Sequence, residues 1–196
     1  MSHTWKQESW TDRAEAFLVS EDNWERYNWP FPMGVFGTLR VNQGNNPLMH
    51  RNGTPKGHKK AFLPHFFAHG LSIRFHDNAS APFDIFYYEP DQWAKMISSV
   101  DGLESFSPRY YDDQSYGYYR TLVTLRLLPD DYEDKFFPKN SKCEIYGERD
   151  MKIDSKTFDK YDSQPAWVYS SIKSNEACLE WCLKNKVHCP ILWPNW

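Results

Sequence analysis

The sequence predicts an α+β fold, and three observations support this class. Phe83–Tyr88 is an apolar and aromatic run, interrupted only by Asp84, with the length of a β-strand. After Pro90, apolar residues recur at Trp93 and Met96 with the spacing of an amphipathic helix. The chain has 196 residues, which is long enough to bury a hydrophobic core. Strands and helices are therefore expected in one chain of ordinary domain size.

Composition excludes several classes of partner. The net charge of −3 and the pI of about 6.2 give no basic surface, so no nucleic acid partner is expected. No apolar run approaches the roughly 18 residues of a membrane span, so no membrane association is expected. Residues 2–9 are polar and lack the apolar segment of a signal peptide. We therefore predict a cytoplasmic protein whose four cysteines are reduced.

The first thirty residues are predicted to be an extension. Thr11–Val19 is typical of a short helix with Thr11 as its N-cap. Four tryptophans lie in otherwise charged sequence and are expected to hold this segment on the domain; a binding lid is the alternative. We expect an extension over residues 1–30, a domain over 31–170 and a helical tail over 171–196.

The first candidate site follows a short apolar strand, Met33–Phe36. The strand breaks at Gly37, which can adopt a positive φ or let another group approach its backbone. Thr38 and Leu39 then turn away from the strand, which leaves consecutive N–H groups without a ladder partner. Such groups can form an anion-binding concavity. The alternative is an ordinary strand end followed by a loop.

The segment after this strand is predicted to be a long loop over residues 41–58, because asparagine, glycine and proline dominate it. Lys59–Phe75 is predicted to form strands. His65 and His69 would share one face of an extended strand. No ligand spacing accompanies them, so we interpret them as structural histidines.

Glu104 is the second candidate site. The helix that begins at Pro90 is predicted to end before Val100, which leaves Glu104 in a loop beside Leu103 and Phe106. Apolar neighbours disfavour a charged carboxylate, which predicts a raised pKa and a general base near neutral pH. The alternative is a solvated loop carboxylate.

The second half of the chain contains two further strands. Tyr118–Leu125 alternates as a strand does, and Ala166–Tyr169 is another short strand, with a charged connector over Asp130–Glu144 between them. A helix is predicted over Glu176–Lys184, capped by Ser174 or Asn175.

Cysteines in the tail raise the question of a metal site. Cys178 and Cys182 are separated by three residues, and His188 precedes Cys189 directly. An adjacent His–Cys pair rarely binds one ion, and a Cys-x3-Cys spacing is also typical of one helix face. We therefore expect no metal and interpret these cysteines as structural.

Four segments together resemble the gamma-glutamylcyclotransferase-like superfamily, most closely its gamma-glutamylamine cyclotransferase branch. Val35–Arg40 resembles the family's aromatic-Gly-Thr/Ser-Leu/Asn-Leu loop. Val100–Glu104 resembles its Leu-Asp-x-Leu-Glu-Gly segment, whose glutamate is catalytic. Tyr118–Arg120 with Val123 resembles its Tyr-x-Arg-x-x-Val strand, and Ala166–Tyr169 its closing strand. All four occur in the family's order within residues 33–170.

The sequence also departs from this pattern. Phe36 stands where many members have tyrosine, and Ser105 replaces the usual glycine after the catalytic glutamate. The stretch Ser107–Gly117 lengthens the spacing to the next motif. The two terminal segments have no counterpart in the minimal fold. These differences bear on the substrate more than on the fold.

The resemblance implies a mixed barrel-like sheet flanked by helices, with the Gly37 loop and Glu104 facing one cavity. It implies an enzyme that cyclises a γ-glutamyl amide to 5-oxoproline and releases an amine, without a cofactor or a metal. Glu104 would be catalytic, and the ligand would be a small-molecule γ-glutamyl amine or glutamyl conjugate. The substrate-binding residues would be Val35, Phe36, Gly37, Thr38, Leu39, Arg40, Tyr118, Arg120 and Tyr169.

Two other functions are compatible with the sequence. One is an inactive member of the same fold that binds a small acid or a glutamyl conjugate, because a fold does not guarantee an activity. The other is an interaction protein whose tryptophans form an exposed apolar surface. Release of 5-oxoproline distinguishes the enzyme from both. The leaving amine and the oligomeric state are not specified by the sequence.

Overall fold

The computed structural model describes residues 10–110, 118–133 and 147–194. Within this part, a mixed sheet closes five strands into a β-barrel, and further strands and several helices surround it. The α+β prediction is therefore confirmed, together with its barrel-like sheet. The predicted Asp130–Glu144 connector and the Ser107–Gly117 stretch lie largely outside the described residues.

Four helices and seven strands make up the described part of the chain. The helices are α1 (Trp10–Leu18), α2 (Leu48–Arg51), α3 (Pro90–Leu103) and α4 (Ile172–Asn185). The strands are β1 (Met33–Val35), β2 (Gly57–His69), β3 (Ser72–Tyr87), β4 (Tyr119–Leu127), β5 (Glu148–Arg149), β6 (Ser163–Ser170) and β7 (Ile191–Trp193). Single 3-10 turns cover Trp24–Asn28, Pro108–Tyr110 and Ser155–Lys160.

The strands follow the spatial order β5-β2-β3-β1-β6-β4-β7, and pairing of β2 with β4 closes the barrel. β1 runs parallel to β6 and antiparallel to β3, so it lies at the centre of the sheet order. The chain leaves the barrel at the end of β1, and the loop that follows lies at the barrel's rim. The turn between β2 and β3 contains Gly70, whose φ of +59° suits glycine.

A β-bulge in β2 separates the two histidines that were predicted to share a face. Pairing with β3 shifts between Pro64 and Phe66, and His65 itself has a φ of +65°. His65 is buried, and its ring nitrogen Nδ1 lies 2.7 Å from the carbonyl oxygen of Asp77. His69 is exposed. The shared-face prediction is wrong because the bulge breaks the alternation on which it relied.

Three predicted helix boundaries need correction. α1 begins at Trp10, so Thr11 is a helical residue and not the cap. α3 continues to Leu103, past the predicted end, and Glu104 is its C-cap. α4 begins at Ile172, and its cap is Ser171, whose hydroxyl accepts the Ser174 N–H at 3.3 Å. Short α2 lies within the predicted loop over residues 41–58.

The described parts of both terminal segments contribute to the core. Phe17 and Tyr27 are fully buried, and each packs on the ring of Trp167 in β6. The Trp167 indole donates a hydrogen bond of 2.8 Å to the carbonyl of Trp29. At the other end, β7 pairs with β4 and extends the sheet. Packing contacts and strand pairing therefore cross the predicted divisions at residues 31 and 170.

The remaining boundaries agree with the patterns in the sequence. The apolar run that ends at Tyr88 is the second half of β3, and the alternating run that begins at Tyr118 is β4. None of the helices in the described ranges is both long enough and apolar enough to cross a bilayer.

Candidate functional site

A cavity of about 160 Å³ lies between the chain that leaves β1 and the C-terminal end of α3. Most of the predicted site residues line it: Val35, Phe36, Gly37, Thr38, Leu39, Glu104 and Tyr169. Arg40, Tyr118 and Arg120 are not among its lining residues. The two stretches singled out in the sequence therefore meet in space, although they are far apart in the chain.

The Gly37 loop is a hydrogen-bonded turn at the rim of the barrel. The N–H of Arg40 donates to the carbonyl of Gly37 at 3.1 Å, which closes the turn. The Asn45 side-chain amide donates to the Thr38 hydroxyl at 2.9 Å, and the Asn46 amide donates to the Leu39 carbonyl at 2.9 Å. These side-chain bonds hold the loop from the side away from β1.

Three backbone N–H groups of this loop have no acceptor. Within the described ranges, no carbonyl or side-chain oxygen receives the N–H of Gly37, Thr38 or Leu39. The φ of Gly37 is not positive, and a Cβ built there would meet no atom within 4 Å. Gly37 is therefore not required for backbone conformation; its lack of a side chain leaves room in the cavity. Successive unpaired N–H groups are the donors of an anion-binding concavity.

Arg40 anchors the far end of the loop. Its Nε and Nη2 atoms donate to the two carboxylate oxygens of Asp84 in β3, at 3.2 and 3.1 Å. The N–H of Val41 donates to the same carboxylate at 2.9 Å. Both charged side chains are almost completely buried, so this bidentate ion pair fixes the loop on the barrel wall. Arg40 thus lies behind the loop and not in the cavity.

The opposite wall of the cavity is the C-terminal end of α3, which ends in a Schellman motif. The N–H of Phe106 donates to the carbonyl of Asp101 at 2.9 Å, and the N–H of Ser105 donates to the carbonyl of Gly102 at 3.4 Å. Ser105 adopts the left-handed conformation that this motif requires, with a φ of +55°. The motif fixes the backbone of Glu104 and brings its carboxylate to the cavity.

The Glu104 carboxylate is half-buried and has no partner among the residues that the structure describes. Burial raises the pKa of Glu104 above its ordinary value, because water stabilises the charged form less well there. Its place at a helix C-terminus acts in the same direction, since the negative end of the helix dipole disfavours an anion. The Glu104 carboxyl group therefore keeps its proton to a higher pH than an ordinary glutamate does.

Tyr169 connects the cavity to a buried ion pair. Its hydroxyl donates to Oδ1 of Asp101 at 2.5 Å, and Nε of Arg120 lies 3.4 Å from the same oxygen. Burial raises the pKa of Asp101, and the guanidinium of Arg120 opposes that shift. The pKa of Tyr169 is raised well above 10, so its hydroxyl keeps its proton. Asp101 and Tyr169 together support the last turn of α3 behind Glu104.

Arg120 lies beneath the cavity inside a cage of aromatic rings. Its guanidinium carbon is 5.1 to 5.7 Å from four ring centroids, those of Tyr27, Trp93, Phe106 and Trp167. Cation–π contacts of this kind stabilise a desolvated cation. Arg120 therefore orders Asp101 and the aromatic core and is placed to act on the site only through them.

Tyr118 lies at the edge of the site. Its hydroxyl is 3.5 Å from the carbonyl of Leu71, in the turn between β2 and β3. Leu71 does line the cavity and is 60% exposed, which places it at the mouth. Tyr118 thus contacts a residue of the mouth and not the interior.

Sequence reasoning missed four cavity residues, Gly34, Asn45, Leu71 and Leu103. Asn45 lies in a stretch rich in turn residues, and nothing in that stretch distinguishes it. Leu71 reaches the site only because the long β2–β3 hairpin brings its turn to the barrel's rim. Leu103 is the last residue of a helix that was predicted to end earlier, so its position could not be inferred.

A second, larger cleft of about 280 Å³ lies beside α4. Its best-placed cation, Arg126, already donates to Asp159 at 2.8 Å and to the Ser163 hydroxyl at 2.7 Å. Asp159, a carboxylate that lines this cleft, is therefore already paired with a cation. A proton-transfer site is therefore better placed in the smaller cavity.

A scan against protein-family models finds no family that matches this chain, and searches of curated proteins and of solved structures find no match either.

Proposed function

We propose that the chain is a gamma-glutamylcyclotransferase-type enzyme that converts a γ-glutamyl amide into 5-oxoproline and a free amine. One observation carries the proposal: Glu104 and the Gly37 loop line one small cavity. Among the described residues, the Glu104 carboxylate makes no hydrogen bond or ion pair, and the N–H groups of Gly37, Thr38 and Leu39 have no acceptor. The sequence resemblance leads independently to the same two elements.

The cavity complements the end that all γ-glutamyl compounds share. Their α-carbon carries a carboxylate and an ammonium group. The N–H groups of Gly37, Thr38 and Leu39 suit the carboxylate, and Glu104 suits the ammonium. At about 160 Å³, the cavity is smaller than the roughly 300 to 1,000 Å³ of drug-sized ligand pockets. It therefore fits the glutamyl end, and the leaving amine would extend toward Leu71 at the mouth.

The reaction needs one proton-transfer group. Glu104 removes a proton from the α-ammonium, and the freed amine attacks the γ-carbonyl carbon to close a five-membered ring. The carbonyl oxygen becomes an oxyanion, and a loop N–H group that the carboxylate leaves free stabilises it. Glu104 returns its proton to the leaving nitrogen as the bond to that nitrogen breaks. The ring nitrogen then loses its second proton to the Glu104 carboxylate, which leaves the single N–H of 5-oxoproline. Because nucleophile and electrophile belong to one molecule, holding the substrate folded supplies a high effective molarity.

The raised pKa of Glu104 suits this role. A carboxylate of ordinary pKa is a weak base toward an ammonium group, because its pKa lies far below that of the ammonium. Burial raises the pKa of Glu104 and so narrows the difference between the two pKa values. Tyr169, Asp101 and Arg120 would be positioning residues, since they hold the end of α3 without a free group in the cavity. Arg40 has the same role for the loop.

The test is release of 5-oxoproline from a panel of γ-glutamyl amides that differ in the leaving amine. The α-glutamyl isomers serve as substrate controls, because their free amine cannot close the same ring. Glu104→Gln should lower turnover by about 10²- to 10⁴-fold with an unchanged fold. Glu89→Gln is the matched control, because Glu89 is exposed at the opposite end of the same helix.

A folded Glu104→Gln protein with normal turnover would remove Glu104 from the mechanism. Failure of the wild-type protein to release 5-oxoproline from any member of the panel would contradict the proposed activity. Binding of the same compounds without turnover would instead favour the inactive glutamyl-binding module.

A further inference from the structure

Three of the four cysteines converge at one point of the fold. Cys178 and Cys182 lie one turn apart on the buried face of α4, and Cys189 lies in the connection from α4 to β7. The Sγ atom of Cys178 is 4.0 Å from that of Cys182 and 3.9 Å from that of Cys189. All three sulfur atoms lie within 4.8 Å of one another.

The chain reversal after α4 produces this arrangement. Lys186 ends the helix in the left-handed conformation, and the N–H of Val187 donates to the Cys182 carbonyl at 3.2 Å. The chain therefore turns back over the last turn of the helix. His188 remains at the surface, where it lines the larger cleft, and Cys189 points to the pair. Of the adjacent pair His188 and Cys189, only Cys189 therefore belongs to the cluster.

The sulfur spacing is that of a metal–thiolate centre. Sulfur atoms bound to zinc at about 2.3 Å are about 3.8 Å apart in a tetrahedron and about 4.0 Å apart in a trigonal plane. The two shorter separations in the cluster fall at these values. The backbone would need little movement to place one cation in contact with all three sulfurs.

The surroundings also favour a cation. Cys178 and Cys182 are almost completely buried, and Cys189 is half-buried. The three sulfur atoms contact one another away from bulk water, so they are already gathered as a set of soft ligands.

We propose that Cys178, Cys182 and Cys189 form a binding site for one thiophilic d¹⁰ cation, Zn²⁺ or Cu⁺. Soft thiolate ligands select these ions over Mg²⁺ and Ca²⁺. Three sulfur ligands are sufficient for Cu⁺. Zn²⁺ binds four ligands, so it would take its fourth from the exposed side of Cys189. Binding displaces the thiol protons to solvent. The ion would join α4 to the lead-in of β7, and the site shares no residue with the Glu104 cavity.

The experiment uses the full chain, purified with reductant and without metal, and adds Zn²⁺ alone or Cu⁺ alone. After gel filtration, elemental analysis should find about one equivalent of one of these cations per chain. That cation should raise Tm and protect the three cysteines from alkylation, as mapped by mass spectrometry. A cation that binds only the folded state stabilises it by mass action. The cation that the protein retains in the larger amount after gel filtration is the ion that the site prefers.

Variants locate the site. Cys189→Ser is the first choice, because this residue is only half-buried and its replacement disturbs packing least. It should abolish retention, as should Cys182→Ser. Cys143→Ser is the control that removes the remaining cysteine, and it should retain one equivalent.

Two results would overturn the proposal. The first is a wild-type protein that retains neither cation and whose three thiols alkylate equally fast with and without metal. The second is retention that persists in Cys189→Ser and Cys182→Ser, which would place the ion elsewhere. The wild-type measurement decides the question even if a variant fails to fold.

Discussion

Replacing Tyr169 with phenylalanine tests the hydrogen bond that joins the cavity wall to the buried ion pair. The change removes one hydroxyl, which donates to Asp101 at 2.5 Å. Asp101 is 7% exposed, so water cannot readily replace the lost donor, and only Arg120 at 3.4 Å remains beside that oxygen. Tyr88→Phe is the matched control. Tyr88 is 5% exposed against 4% for Tyr169, and its hydroxyl donates at 2.7 Å to a neutral carbonyl.

The expected loss differs because the acceptors differ in charge. A hydrogen bond to a charged group contributes about 1.5 to 3 kcal/mol, and one between neutral groups about 0.5 to 1.5 kcal/mol. For a chain of this length, 1 kcal/mol corresponds to roughly 2 to 4 °C in Tm. Tyr169→Phe should therefore lower Tm by about 7 °C and Tyr88→Phe by about 3 °C.

The dependence on pH separates charge from packing. Burial places the folded pKa of Asp101 above its ordinary value, and the Tyr169 hydroxyl favours the charged form. The stability from this hydrogen bond is thus present above that pKa and declines as the pH falls through it. Urea unfolding at neutral and acidic pH measures the difference. An equal loss in both variants, independent of pH, would refute the charged network.

Three further predictions concern the cavity walls. Ser105→Gly should stabilise the fold by about 1 kcal/mol, because glycine adopts the left-handed conformation more easily than serine does. Lys186→Gly is the same change at the end of α4, and it should stabilise the fold by as much without affecting turnover. A lower Tm in both variants would contradict this reasoning. Gly37→Ala should keep the wild-type Tm but weaken the binding of γ-glutamyl compounds. Gly34→Ala should destabilise the fold by about 1 to 3 kcal/mol, because its Cβ would lie 2.8 Å from the Leu125 side chain. Equal Tm values for the two variants would contradict this packing argument. Glu104→Gln should be more stable than wild type at pH 7, because the wild-type protein buries a charge there. This gain in stability should vanish as the pH falls to the unfolded pKa of about 4.3, where Glu104 is protonated. Urea unfolding at pH 7 and in acid measures the gain, and a gain that persists in acid would exclude burial of charge as the cause.

The sequence was sufficient for the elements that depend on local pattern. The strand at β4, the largely apolar half of β3 and the amphipathic start of α3 are all visible in the residues alone, although β4 is buried on both faces and does not alternate. The meeting of Gly37 with Glu104 was also expected, but from resemblance and not from physics. Their proximity depends on the barrel, which a single sequence does not specify.

The errors occurred where tertiary contacts override local preference. Gly102 favours a helix end, yet α3 continues past it, because Val100 and Asp101 are buried and the Schellman bonds complete the last turn. The bulge at His65 depends on register with β3. The three-cysteine cluster depends on the turn after α4, which no spacing rule contains.

The contacts of Tyr27 have a consequence for how the protein folds during synthesis. Its ring packs on Trp193 at 4.8 Å, and the Trp193 indole donates to Asp22, 171 positions earlier in the chain. This aromatic cluster therefore cannot close until the ribosome has released β7. Until then Phe17 and Tyr27 lack their contacts with Trp193. Such non-local closure is slow, and it exposes apolar surface to aggregation in the meantime. Dependence on chaperones during translation is the expected cost of joining segments so far apart in the sequence in one core.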